Sequence, residues 1–134
     1  MVRISQHAAQ RLGLLRTRRG GGFGKGRSKY NVDTTEAGKE RRTRHGILFD
    51  SIKEANRYDD LLLMERCGEI TLLERQVKFT LMVNDQLIAR YIADFVYLEK
   101  NIRIVEDSKG FRTATYRMKK KLMEACLGIK ILET

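Results

Sequence analysis

A small set of ionisable residues in the second half of the chain has the types and spacing to do chemistry on phosphate. Asp94 lies inside Ile92-Ala93-Asp94-Phe95-Val96. A carboxylate among such apolar neighbours is costly unless it is paired, bound to a cation or set at a cleft. The next polar run is Val105-Glu106-Asp107-Ser108-Lys109-Gly110. Strand alternation puts Asp107 and Lys109 on one face and Glu106 on the other. A hairpin turn at Glu99-Lys100-Asn101 makes the two runs antiparallel neighbours. Pairing Leu98 with Ile102 brings Asp94 opposite Glu106, and a shift of one or two residues favours Asp107, so the sequence leaves the register open. Glu54 is a further candidate: it begins a helix beside Tyr58 and Leu61, at the edge of the buried face, from which it could point over a sheet. Two or three carboxylates with one lysine suit a hard cation. Mg²⁺ prefers oxygen ligands and keeps several waters. It lowers the pKa of bound water and stabilises charge on an attacked phosphate. A lysine beside it can orient the water or neutralise developing charge. This is the apparatus of phosphodiester hydrolysis.

The elements that must position these residues follow from pattern and punctuation. Residues 40–44 and 47–50 read as short strands around a His45-Gly46 turn. Residues 52–66 read as a helix, with Ser51 as N-cap, Glu54 at capping-box spacing and Ala55, Tyr58 and Leu62 as its apolar stripe. Gly68 ends it. Residues 70–74 and 76–83 are extended, the second with alternating Val77, Phe79 and Leu81. Asn84-Asp85 marks a turn before a long strand at 87–98, and a strand at 102–108 follows the next turn. Residues 113–127 read as a helix with Met118, Leu122 and Ala125 on one stripe, capped by Gly128, and 129–132 as a last short strand. The order is helix, meander, helix, strand, which implies an α/β domain with a mixed sheet flanked by helices.

Charge is distributed unevenly. The net charge is +10 over 134 residues, and residues 1–45 carry 12 basic and 3 acidic side chains. Residues 1–30 hold Arg3, Arg11, Arg16, Arg18, Arg19, Lys25, Arg27 and Lys29 and no acidic residue. A one-signed block repels itself unless a polyanion neutralises it, and nucleic acid is the natural partner because phosphate contacts release counterions. Residues 4–14 are compatible with a short helix capped by Ser5. Gly20, Gly21, Gly22, Gly24 and Gly26 then make a flexible basic linker, without the lysine and hydroxyl ending of a phosphate loop. Residues 1–30 are therefore expected to be an arm and 31–134 the domain. No apolar run reaches the ~18 residues that span a bilayer, and no secretory signal is apparent. Cys67 and Cys126 are too far apart for a zinc or redox motif and read as free thiols. His7 and His45 have no partner at ligand spacing.

Four segments taken together resemble a known group. Asp94 followed by Asp107-Ser108-Lys109 looks like the D…(D/E)xK signature of the PD-(D/E)XK nuclease superfamily. Phe49-Asp50-Ser51-Ile52-Lys53-Glu54-Ala55-Asn56-Arg57-Tyr58, Gln76-Val77-Lys78-Phe79, Tyr91-Ile92-Ala93-Asp94-Phe95 and Val105-Glu106-Asp107-Ser108-Lys109-Gly110 resemble a phage-encoded family within it that is similar to Holliday-junction resolvases. The resemblance covers residues 40–132. It implies a restriction-endonuclease-like core (α-β-β-β-α-β), Asp94 and Asp107 as ligands of Mg²⁺ with Mn²⁺ as a substitute, Lys109 as the catalytic lysine, Glu54 as the helix-borne acid and Gln76 near the site. Ala93 stands where the superfamily name has proline. Asp107 stands where glutamate is commoner, and Glu106 beside it is an alternative ligand.

The expectation is a Mg²⁺-dependent endonuclease acting on branched DNA as a homodimer in the cytoplasm of a bacterial host. The basic arm would grip the backbone, and Lys119 and Lys120, with Arg117 and Lys121, would hold phosphates on the last helix. Nicking and flap endonucleases remain alternatives. The rival reading is a non-catalytic nucleic-acid-binding protein. In it Glu54 only closes a capping box, Asp94 pairs with an arginine, Asp59 and Asp60 form a solvated helix face, and the lysines are ordinary surface charge.

Overall fold

A computed structural model describes residues 32–109 and 111–134. The expected helix over 4–14, the glycine-rich linker, the side chains Arg3, Arg11, Arg16, Arg18, Arg19, Lys25, Arg27 and Lys29, and Gly110 all lie outside the described residues. The chain divides into two units, Met1–Thr34 and Thr35–Thr134. Every described helix and strand belongs to the second.

The second unit opens with α1 (Glu36–Arg41), which the sequence reading missed. Its signals are a Thr35 N-cap accepting from the Gly38 amide, an acidic residue in the first turn and basic residues in the last. The strand expected over 40–44 is thereby cut to β1 (Thr43–Arg44), which pairs with β2 (Ile47–Leu48). The helix expected over 52–66 is α2 (Ile52–Arg66), and the Ser51 side chain accepts from the Glu54 amide at 3.0 Å.

The two extended segments expected over 70–83 are one long strand, β3 (Ile70–Val83). Then come β4 (Gln86–Glu99), β5 (Ile102–Asp107), α3 (Ala114–Leu127) and β6 (Ile131–Glu133). His45-Gly46, Asn84-Asp85 and Lys100-Asn101 all have two successive positive φ angles. That is the type I′ geometry whose twist matches tight antiparallel hairpins. The Thr113 side chain caps α3, and Gly128 ends it at φ 66°, in the left-handed region that closes helices.

The central sheet has the order β3-β4-β5-β6; the first two pairings are antiparallel and the last is parallel. The chain is thus mixed α/β, with a mixed sheet flanked by helices. Phe49, Ala55, Leu61, Ile70, Phe95 and Tyr97 form the core beneath α2. Phe79, Leu81, Tyr91, Ala93, Val96, Val105, Tyr116, Met123 and Ile131 form the core beneath α3. Phe49 and Phe95 are almost completely buried, and each such side chain contributes roughly 1.5–3 kcal/mol through loss of contact with water. The buried side of α3 differs from the expected stripe. Tyr116 and Met123 are buried, Leu122 is half-buried, and Met118 and Ala125 are exposed. The large Tyr116 ring, anchored at its hydroxyl to Glu133, sets the helix rotation.

One irregularity organises the rest. Strict alternation would put Tyr91, Ala93, Phe95 and Tyr97 on one face of β4. Instead Tyr91 and Ala93 join the α3 core, while Phe95 and Tyr97 join the α2 core. Strand β3 makes the same change: Val77 packs against the α3 core, whereas the Arg75 guanidinium lies over Phe49 and Tyr58 of the α2 side. Between them Gln76 has φ 51°, a left-handed conformation for a residue with a side chain. A second irregularity between Thr71 and Glu74 contains Leu72 at φ 54°.

Candidate functional site

The face change sits where the acidic residues converge. Arg75 pairs with Phe95 and Val77 with Ala93, so Gln76 and Asp94 lie opposite one another. On the other side, Phe95 pairs with Glu106 and Glu99 with Ile102. This is one step from the Leu98–Ile102 pairing, and it sets Asp94 across from Asp107. The two-residue Lys100-Asn101 turn fixes that register.

Asp94 is buried, and its Oδ2 accepts from the Ser108 backbone N–H at 2.9 Å. The Gln76 Nε2 donates to Glu54 Oε1 at 3.3 Å and reaches Asp94 Oδ1 at 3.5 Å, at the long limit of a hydrogen bond. Asp107 is fully buried. Its Oδ2 accepts from the Tyr91 hydroxyl. The Lys109 ammonium lies 2.9 Å from Oδ1 in an ion pair. A carboxylate oxygen has two lone pairs, so a single ammonium contact leaves Oδ1 capacity for a further ligand. The Lys109 ammonium also lies 5.4 Å from the Tyr116 ring centroid. The Ser108 hydroxyl is buried without a partner.

The electrostatics follow from this crowding. Burial, then the Asp107 charge, pushes the Asp94 carboxyl well above the usual carboxylate range, against the Ser108 hydrogen bond; Glu54 adds to the rise. Burial and the Asp50 charge raise Glu54. Burial alone would lower Lys109, but its contact with Asp107 and the charges of Asp94 and Glu54 outweigh it, so its pKa is raised and it is an ammonium at neutral pH. An excess of negative charge, a buried carboxylate oxygen with a lone pair to spare and an all-oxygen donor set fit a hard divalent cation. Asp94 and Asp107 could hold it, with Glu54 reached through Gln76. Among the described residues no group of three or more His, Cys, Asp or Glu side chains forms a ready-made metal cage. A site of two carboxylates completed by water needs none.

The structure separates Glu106 from this group. Glu106 is fully buried on the α2 side, where Arg57 donates to it from Nε at 2.6 Å and from Nη2 at 3.0 Å, Tyr97 at 2.8 Å and Thr134 at 3.0 Å. Burial would raise its carboxyl; the bonds from Arg57, Tyr97 and Thr134 outweigh it and hold it below the ordinary value. Its lone pairs are taken, so it is a structural anchor. Asp59 is also engaged, pairing with Arg44 at 2.9 Å and with His45 at 3.1 Å. Lys120 pairs with Glu133 at 2.7 Å, Lys119 is half-buried, and Arg117 and Lys121 are exposed.

Sequence reasoning missed Tyr91, the Ser108 amide and Arg75. Tyr91 reaches Asp107 from 16 positions away through a register the sequence left open. Ser108 was legible only as the spacer in the Asp-Ser-Lys run. For Arg75 the available signal was its place next to Gln76.

Residues 27–128 match the profile of a protein family described as "Protein of unknown function (DUF1064)". The match includes all the candidate residues above except those of the basic block before residue 27. No curated protein and no solved structure matches the chain.

Proposed function

The chain belongs to the DUF1064 family, and on that footing we propose that it is a Mg²⁺-dependent DNA endonuclease with a restriction-endonuclease-like core, acting on branched DNA as a junction resolvase. The observation that carries this reading is the grouping of Asp94, inside β4, with Asp107 at the end of β5 and Lys109 just beyond it, the ammonium lying 2.9 Å from a buried Asp107 oxygen. Acidic groups on a DNA-binding face repel phosphate unless a cation intervenes. A carboxylate pair next to a retained ammonium is therefore better explained by cleavage than by passive binding. Among the described residues no helix is long and apolar enough to cross a membrane.

Asp94 and Asp107 would hold the cation, and Glu54 would bind one of its waters. When bound, Mg²⁺ would activate a water and stabilise charge on the phosphate. Asp94 is oriented by the Ser108 amide, and Asp107 by the Tyr91 hydroxyl. Gln76 restrains Glu54 from the neighbouring strand. Lys109 keeps its proton, so it serves as a donor to a phosphoryl oxygen or to the attacking water and not as a general base. Junction resolution needs two coordinated nicks, which calls for a two-fold assembly.

Labelled four-way junction and matched linear duplex, incubated with Mg²⁺ or with EDTA, test the reading alongside Lys109→Ala. The expected result is Mg²⁺-dependent paired nicks in the junction, absent in linear DNA and in the variant. Cutting of both substrates would keep the nuclease and remove junction selectivity. Binding without cutting across several divalent metals would make the protein a non-catalytic binder.

A further inference from the structure

Arg75 is a half-buried cation on the α2 side of the sheet. Lys109, Arg57, Arg44, Arg112 and Lys120 each pair with an acidic side chain. Arg75 has no such pair among the described residues. Its guanidinium carbon lies 4.4 Å from the Phe49 ring centroid and 5.2 Å from that of Tyr58, so the planar group rests on two aromatic faces. Its Nε is buried and has no hydrogen-bond partner. It directly precedes the left-handed Gln76, and its charge is felt by the Glu54 carboxylate.

A half-buried guanidinium stacked on rings is held in orientation, with side-chain freedom already lost. Its donors remain unspent. Leaving a buried N–H unmet is unfavourable, and such groups in native proteins call for an explanation. Planar forked donors match phosphate oxygens. The charges of both Arg75 and Lys109 act on the Glu54 carboxylate.

We propose that Arg75 is a phosphate-binding residue that takes a backbone phosphate flanking the one held at Asp94, Asp107 and Lys109. The identity of the polyanion as DNA rests on the nuclease reading. The aromatic pair holds the fork in place, and the kink at Gln76 sets Arg75 on the Glu54 side of the sheet.

The test uses the full chain in EDTA, where no cleavage intervenes, and reads duplex binding by fluorescence anisotropy over a salt series. Arg75→Gln is expected to reduce the slope of log K against log salt by about 0.9, the contribution of one phosphate contact. Arg75→Lys should keep most of the slope. Arg103→Gln removes another cation stacked on a ring, 5.3 Å from the Phe79 centroid, and should leave the slope unchanged. In the wild-type chain the Arg75 Nε–Hε resonance should shift when duplex is added, a readout that does not depend on a variant folding. An unchanged slope for Arg75→Gln, an equal loss for Arg103→Gln, or an unmoved Nε–Hε signal at saturating duplex would overturn the assignment. If the wild type binds DNA but never cuts it, the nuclease reading fails while the slope and the resonance still decide Arg75.

Discussion

Gln76 and Asp94 oppose each other at the level where β3 and β4 both change the helix they pack against. The left-handed backbone at Gln76 is part of that change. Such a conformation costs on the order of 1 kcal/mol or more for a residue with a side chain. In return the buried stretch of β4 carries a carboxylate between two cores instead of inside one. Asp94 is thereby close to both Asp107 on the α3 side and Glu54 on the α2 side.

Asp94→Asn should separate activity from stability. The carboxyl of Asp94 is raised in the folded state, so above the unfolded carboxylate pKa its ionised form opposes folding. Asparagine keeps an acceptor for the Ser108 amide and removes the charge. Without divalent metal at neutral pH the variant should melt higher, by on the order of 1 kcal/mol or a few degrees. Cleavage should fall on the order of 10²–10³-fold. A lower melting temperature with intact cleavage would remove Asp94 from the site.

Glu106→Gln should do the reverse of Asp107→Asn. It leaves the Arg57 guanidinium without its counter-charge. Breaking a buried pair costs roughly 3–5 kcal/mol, and the lower end is expected here because Arg57 is partly open to solvent. Because the Glu106 carboxyl is held below its ordinary value of 4.5, its contribution is full above that pH and is lost as pH falls through the lower folded value. Urea midpoints measured over acidic pH should fall for the wild type and stay flatter for Glu106→Gln. Asp107→Asn should instead reduce cleavage more than stability; the opposite ranking would make Glu106 the functional acid.

Metal binding should release protons. Asp94 and Glu54 are both raised, so protons compete with a cation for these oxygens. Thermal stabilisation by Mg²⁺ should be small at mildly acidic pH and grow as pH rises through neutrality. Titration calorimetry in buffers of different ionisation enthalpy should show proton release. Stabilisation that is the same at every pH would place the cation elsewhere.

The basic residues before position 30 give a prediction from sequence alone. Deleting residues 1–28 removes seven of them. Duplex affinity should drop and its salt dependence should flatten. An unchanged slope would show that the block does not contact phosphate.

The parts of the fold governed by local rules were readable in the sequence. Ser51, the Asn84-Asp85 turn and Gly128 each act over a few residues and were placed correctly, whereas the turn expected over Glu99-Lys100-Asn101 was one residue too long, because Glu99 pairs with Ile102. The expected α3 stripe of Met118, Leu122 and Ala125 was not, because the Glu133 anchor of Tyr116 comes from another strand. At the site, the residue types were visible but their partners were not. One step of register decides whether Asp94 meets Glu106 or Asp107, and a single two-residue turn sets that step. The face change at Gln76 was hidden because alternation assumes that a strand keeps one face inward throughout.

The irregular stretch of β3 has a consequence beyond the site. β3 is an outer strand of the sheet and runs for 14 residues. A straight outer strand of that length is a template for adding strands from other molecules. The left-handed residues Leu72 and Gln76 divide its free rim into short runs that a regular partner cannot follow. The distortion that sets the carboxylates in place therefore also makes β3 a poor template for strand addition. Smoothing β3, for example by Gln76→Val, would be expected to raise aggregation as well as reduce the proposed cleavage.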